Sequence, residues 1–246
     1  MMAPGTSERS STSRGVRAWV CRRAVAWLRD APMAATRLFL LSPASCSGSR
    51  ARLLLAPSSA FPLAEQLRSP QGAPLGDVFA FVSQLYFRGK LAYGRAFART
   101  GDGPHPALDE GVFVITTSRG PLSWRERVGA DTLREFAAVQ MHQGDGAYTR
   151  TLEAGARLVA ERAGPSAEVV LLGSIASDKY VRVLTEVFGS RLLFPRQFIG
   201  RGDMSRGGLL LRCVREGREL DYIPVMGSRR HGSRPPRLGP LGDDLP

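Results

Sequence analysis

Residues 38–48 read LFLLSPASCSG, and the fold turns on how that stretch is understood. A half-exposed strand alternates polar with apolar residues, whereas Leu38–Leu41 is unbroken apolar sequence. Such a run fits a strand buried on both faces, as in a parallel sheet covered by helices. It stops at Ser42-Pro43, because proline has no N–H to continue a ladder. Ser45, Cys46, Ser47 and Gly48 follow, with Arg50 and Arg52 just beyond. A plain turn needs one or two such residues. The excess predicts a ligand loop at the C-terminal edge of the strand.

The same pattern recurs along the chain. Gly111–Thr117 (GVFVITT) and Glu168–Gly173 (EVVLLG) read as buried strands, Arg191–Phe194 as a shorter one and Leu220–Val225 as the last. Helical spacing runs through 74–99, where Gly89 and Gly94 predict a kink or two abutting helices. It returns over 131–141, 149–163, 178–188 and 205–215. This alternation predicts an α/β fold: a mainly parallel sheet with helices on both faces, three layers, in a single domain spanning 33–225. Residues 1–32 are rich in Ser and Arg without a sustained period. They read as a disordered or wrongly joined extension upstream of Met33. Residues 226–246 are dense in Gly and Pro and read as a disordered tail.

With 246 residues, 43% of them hydrophobic, the chain can bury a sizeable core. Its net charge is +12, and of 34 basic residues only Lys90 and Lys179 are lysines. A positive field of this size favours nucleic acid first and anionic membranes second, although codon bias also enriches arginine. Three cysteines without a CxxC pair point to a reduced, cytoplasmic setting. No apolar run reaches the length of a membrane span, and no membrane partner is expected. The chain holds no HExxH, GxSxG or P-loop, and no Cys/His metal spacing. Neither a cofactor nor a metal is therefore predicted, and no catalytic residue is assigned. Oligomeric state has no signature here.

Three strand ends carry small hydroxyl residues: Ser42-Pro43-Ala44-Ser45-Cys46-Ser47, Thr116-Thr117-Ser118-Arg119-Gly120 and Gly173-Ser174-Ile175-Ala176-Ser177. Any one could be an ordinary cap or turn. Together they predict that Ser42, Ser45, Cys46, Ser118 and Ser174 surround a phosphate or a small anionic or nucleotide ligand. Two basic segments, 85–95 and 198–218, set arginine beside glycine, which lets a backbone approach a phosphodiester closely. They predict nucleic-acid contacts from Arg88, Lys90, Lys179, Arg201, Arg206 and Arg212, with Arg88 and Lys90 sharing one positive channel with the last three. Tyr86 and Tyr93 read as core.

The order of these islands resembles the YaaA family, bacterial proteins linked to peroxide stress and DNA binding. It also resembles the uracil-DNA-glycosylase-like domain of archaeosine synthase. The resemblance rests on Ser42-Pro43, on Tyr86, Arg88 and Gly89, on Gly120 and Leu122, on Ser174, Lys179 and Tyr180, and on Arg206-Gly207. It implies an α/β nucleic-acid-binding protein. The glycosylases' water-activating aspartate has no counterpart here. Three functional readings stay open: a nucleic-acid-binding protein in oxidative-stress protection, an enzyme acting on a nucleobase or nucleoside, and a small-molecule anion-binding protein.

Overall fold

The computed structural model describes residues 36–101, 108–139, 146–176, 178–229, 232–236 and 238–239, without the side chains of Asp109, Asp178 and Lys179. The predicted extension over 1–32 lies outside the described residues, as does 240–246 of the predicted tail.

Strand β1 (Arg37–Leu41) forms where the apolar run predicts it, and Leu38–Leu41 are fully buried. It lies at the centre of a six-stranded mixed sheet, flanked in parallel by β3 (Val112–Ile115) and β6 (Glu168–Leu172). The register pairs Phe39 with Val112 and with Val170. A further parallel strand, β7 (Leu192–Pro195), extends the sheet beyond β6. Both edges are antiparallel: β4 (Pro121–Ser123) on β3 and β8 (Tyr222–Pro224) on β7. A separate two-stranded pair joins β2 (Ala73–Pro74) to β5 (Arg127–Val128). The predicted mainly parallel α/β sheet is present, with antiparallel edges that the alternation of elements did not foretell.

Eight α-helices are found among the described residues. They are α1 (Ser49–Leu55), α2 (Pro62–Arg68), α3 (Leu75–Ser83), α4 (Leu85–Phe97), α5 (Ala130–Ala138), α6 (Gly146–Ala163), α7 (Asp178–Phe188) and α8 (Asp203–Arg215). The pleat sorts their contacts. Val112 and Val114 join Leu41 in a cluster with residues of α1, α2, α3 and α5. Phe113 and Ile115 join Leu38 and Leu40 in another with residues of α6, α7 and α8.

The predicted helix over 74–99 does break, but not at a glycine. Gln84, with φ of 55°, stands between α3 and α4 in a backbone conformation that a non-glycine residue adopts at a cost. Gly89 and Gly94 are interior to α4. A Cβ at Gly89 would come within 2.7 Å of the Gly207 carbonyl oxygen, and one at Gly207 within 2.8 Å of the Leu85 carbonyl oxygen. Both glycines are therefore spent on bringing α8 close to α4, and that crossing sets the site described next.

Candidate functional site

The chain runs from β1 to β3 on one side, then crosses to β6 on the other. The β1–β6 boundary is thus a topological switch point, where helices leave the strand ends in opposite directions and open a crevice. Ser42 follows β1 directly, and its N–H donates to the Leu172 carbonyl at 3.1 Å, tying the two strand ends together. Gly173 follows β6. A Cβ there would meet the Ser42 Cβ at 2.7 Å and the Tyr180 hydroxyl at 2.9 Å, so only glycine lets these groups close on one another.

Over this boundary α4 places Lys90. Its Nζ donates to the Ser42 carbonyl at 2.7 Å and lies 2.9 Å from Ser42 Oγ. The side chain is 1% exposed and rests over the rings of Tyr86 at 4.6 Å and Phe87 at 4.8 Å. Those ring faces favour the ammonium form, yet burial outweighs them. Desolvation pulls Lys90 down to about 7; the charge of Asp203 opposes the fall and that of Arg206 adds to it. Lys90 makes no ion pair among the described residues.

From α7, Tyr180 donates its hydroxyl to the Ser174 carbonyl at 2.8 Å. Burial pushes its pKa up to about 12, against a partial offset from the Ser42 hydroxyl beside it. From α8 comes Arg206, whose side chain is 12% exposed. It donates to the Phe198 carbonyl at 3.1 and 3.3 Å, lies over the Phe198 ring and reaches Asp203 at 3.5 Å. The Tyr86 hydroxyl is buried without a hydrogen bond of normal geometry. Burial raises its pKa, and the Arg206 guanidinium nearby partly offsets that. Ser42, Lys90, Tyr86, Tyr180 and Arg206 therefore converge on one polar cluster set inside apolar walls.

The other predicted site residues go elsewhere. Ser174 flanks the cluster, but its Oγ accepts from the Ala176 N–H at 3.2 Å, as a turn residue does. Ser45 is exposed and pairs with Ser47 at 3.3 Å. The Cys46 thiol is turned inward on the Ala44 carbonyl, and burial pushes it up to about 12, so it carries no thiolate. Ser118 gives its hydroxyl to Glu135 at 2.5 Å. Arg88 is exposed while Lys90 is buried, because positions two apart on a helix face nearly opposite ways. Those two residues share no channel. Arg201 and Arg212 line a cavity of about 710 Å³ beside Gly202, Asp203 and Arg234. There Arg201 donates to the Pro236 carbonyl at 3.4 Å and Arg212 to that of Gly239. The Lys179 side chain lies outside the described residues.

Composition held one usable signal that motif reading passes over. In a chain that writes almost every cation as arginine, a lysine marks a place where a guanidinium does not serve. Lys90 is such a place, since an arginine there would stay charged in a site that admits a neutral amine.

The chain matches no family model, no curated protein and no solved structure.

Proposed function

We propose that the protein binds the phosphate groups of a nucleic acid or nucleotide at the β1–β6 switch point of a three-layer α/β scaffold. One observation supports this reading above the rest. Lys90 is a buried amine whose protonated form has no carboxylate at ion-pair distance among the described residues, and a cation, Arg206, disfavours that form across the same cluster. Such a site is short of negative charge, and an entering phosphate supplies it. The three-layer arrangement draws its support from the two core clusters, which take alternate residues of β3. Kinship with the YaaA family belongs to the same proposal, as does a cytoplasmic role in oxidative-stress protection.

The charge distribution favours a polyanion. Of the net +12, half lies within 36–225, where 24 basic residues face 18 acids, and half in the flanking segments. The test is fluorescence anisotropy of a labelled oligonucleotide across a salt series. Each phosphate contact contributes roughly 0.7 to the log–log slope for a single strand and 0.9 for a duplex. Arg206→Ala should lower the slope by about one such contact. An anion beside Lys90 raises its proton affinity, so binding should take up a proton and weaken as pH rises through about 7. Absence of oligonucleotide binding at low salt overturns the nucleic-acid reading. Competition by inorganic phosphate alone, with no oligonucleotide binding, assigns the site to a small anion instead.

A further inference from the structure

We infer that Ser42 is a nucleophile and Lys90 its general base, a pair built for acyl transfer from an ester or thioester. Lys90 Nζ sits 2.9 Å from Ser42 Oγ and 2.7 Å from the Ser42 carbonyl oxygen. A neutral amine satisfies both contacts at once: one N–H donates to the carbonyl, and the nitrogen lone pair accepts the Ser42 hydroxyl proton. The carbonyl is thus the third group that orients the base. The rings of Tyr86 and Phe87, on the same helix, lie 4.6 and 4.8 Å from the amine and wall it beside Ser42.

Charge state follows from the same burial. A lysine held near 7 is substantially neutral at physiological pH, which matches the range in which a general base works best. The titratable and charged groups facing it, among the described residues, are Tyr86 on α4, Tyr180 on α7, and Asp203 and Arg206 on α8. Tyr86 and Tyr180 are both pushed up in pKa and remain neutral throughout. Position agrees as well. Ser42 leaves the central strand at the switch point and is 8% exposed, against 1% for Lys90.

The step balances. Ser42 Oγ forms a bond to the acyl carbon while its proton passes to Lys90 Nζ. The bond from that carbon to the leaving oxygen or sulfur then breaks, and Lys90 returns the proton to the leaving group. Water repeats the sequence, losing a proton to Lys90 and releasing the acid and free Ser42. No redox partner or cofactor is required.

The experiment uses the full chain with two probes: an alkyl fluorophosphonate, read by mass spectrometry, and p-nitrophenyl acetate, read by release of p-nitrophenolate. A single phosphonyl adduct on the peptide containing Ser42 is expected, with fluoride as leaving group. The rate should rise with pH through about 7 and then level. Ser42→Ala should abolish labelling. Lys90→Arg, which keeps the charge but cannot give up its proton, should slow it by at least about 100-fold. Melts of both variants separate loss of chemistry from loss of fold. Wild-type protein that takes no adduct on Ser42 at pH 8.5 overturns the inference without recourse to any variant. So does a labelling rate that ignores pH between 6 and 8. Labelling without oligonucleotide binding leaves the pair standing and removes only the phosphate-site proposal. Oligonucleotide binding without labelling does the reverse.

Discussion

The two ends of β1 each hold a cation, and they are built in opposite ways. At the N-terminal end Arg37 meets Glu168 at 2.6 Å and Glu219 at 2.7 Å, with the Tyr222 ring 5.0 Å away. Burial works against its charge, yet hydrogen bonds to those two carboxylates leave its pKa raised overall. At the C-terminal end Lys90 has a carbonyl, a hydroxyl and two rings, but no ion pair among the described residues, and it falls to about 7. The first arrangement is complete as it stands and ties β1 to β6 and to the segment before β8. The second gives the protonated amine no carboxylate at ion-pair distance among the described residues, at the strand end where a parallel sheet commonly takes its ligands. What separates the two basic groups is therefore the company each keeps, since both lie near the same central strand.

The sharpest way to break this comparison is to delete each cation in turn. Arg37→Met leaves Glu168 without its counter-ion and Glu219 with Arg99 alone. It should destabilise the protein by about 2–4 kcal/mol, read from denaturant midpoints at pH 7. A loss below about 1 kcal/mol would show that the Arg37 network is no more than a surface pair.

Lys90→Met should act with the opposite sign, and its effect should depend on pH. The unfolded lysine titrates near 10.5 and the folded one near 7. Between those values the unfolded chain binds the extra proton, so wild-type stability rises with pH across that window. Below pH 7 both states are protonated and the full cost of burying the charge is present. Methionine removes that cost. The variant should gain on the order of 1–3 kcal/mol at pH 7, less than desolvation alone implies because Ser42 loses a partner. The gain should shrink to little by pH 10. A variant destabilised at every pH would make Lys90 a structural cation like Arg37.

These two sites were legible in the sequence to different degrees. β1 announced itself, because an unbroken apolar run excludes an alternating strand. The end of that strand followed from the Ser42-Pro43 stop. The short helices α1 and α2 did not show, since seven residues hold too few turns for a period to emerge. Gly89 misled in a definite way: its lack of a side chain serves a close approach from Gly207, a contact between positions far apart in the chain. The same long-range crossing separates Lys90 from Arg88, two residues that their closeness in sequence sets on one channel. Local pattern marks charge, but which side of α4 meets the sheet is decided by packing. Tyr180 entered only through the family resemblance, because a lone tyrosine on an amphipathic helix looks like core until Ser42 is found beside it.

The smallest expected effect lies at the neighbouring strand end, where a second hydroxyl loop tests whether strand-end serines alone make a site. After β3, Thr116 Oγ1 donates to the Gly120 carbonyl at 2.8 Å and Thr117 Oγ1 to that of Phe136 at 2.9 Å. Ser118 donates to Glu135, which Arg119 also grips through two nitrogens. Arg119 first and Ser118 second hold the Glu135 carboxyl below its usual value. That contribution is present above the unfolded pKa and lost as pH falls through the lower folded one. Both charged partners are more than a third exposed, so solvent screens the pair heavily. Ser118→Ala should therefore cost less than about 1 kcal/mol at pH 7. It should leave both oligonucleotide binding and Ser42 labelling unchanged, because every hydroxyl in this loop is already spent on a protein partner. Loss of either readout in a folded Ser118→Ala variant would extend the site from the β1–β6 boundary to β3. It would also remove the distinction, drawn from Lys90, between a satisfied strand end and an open one.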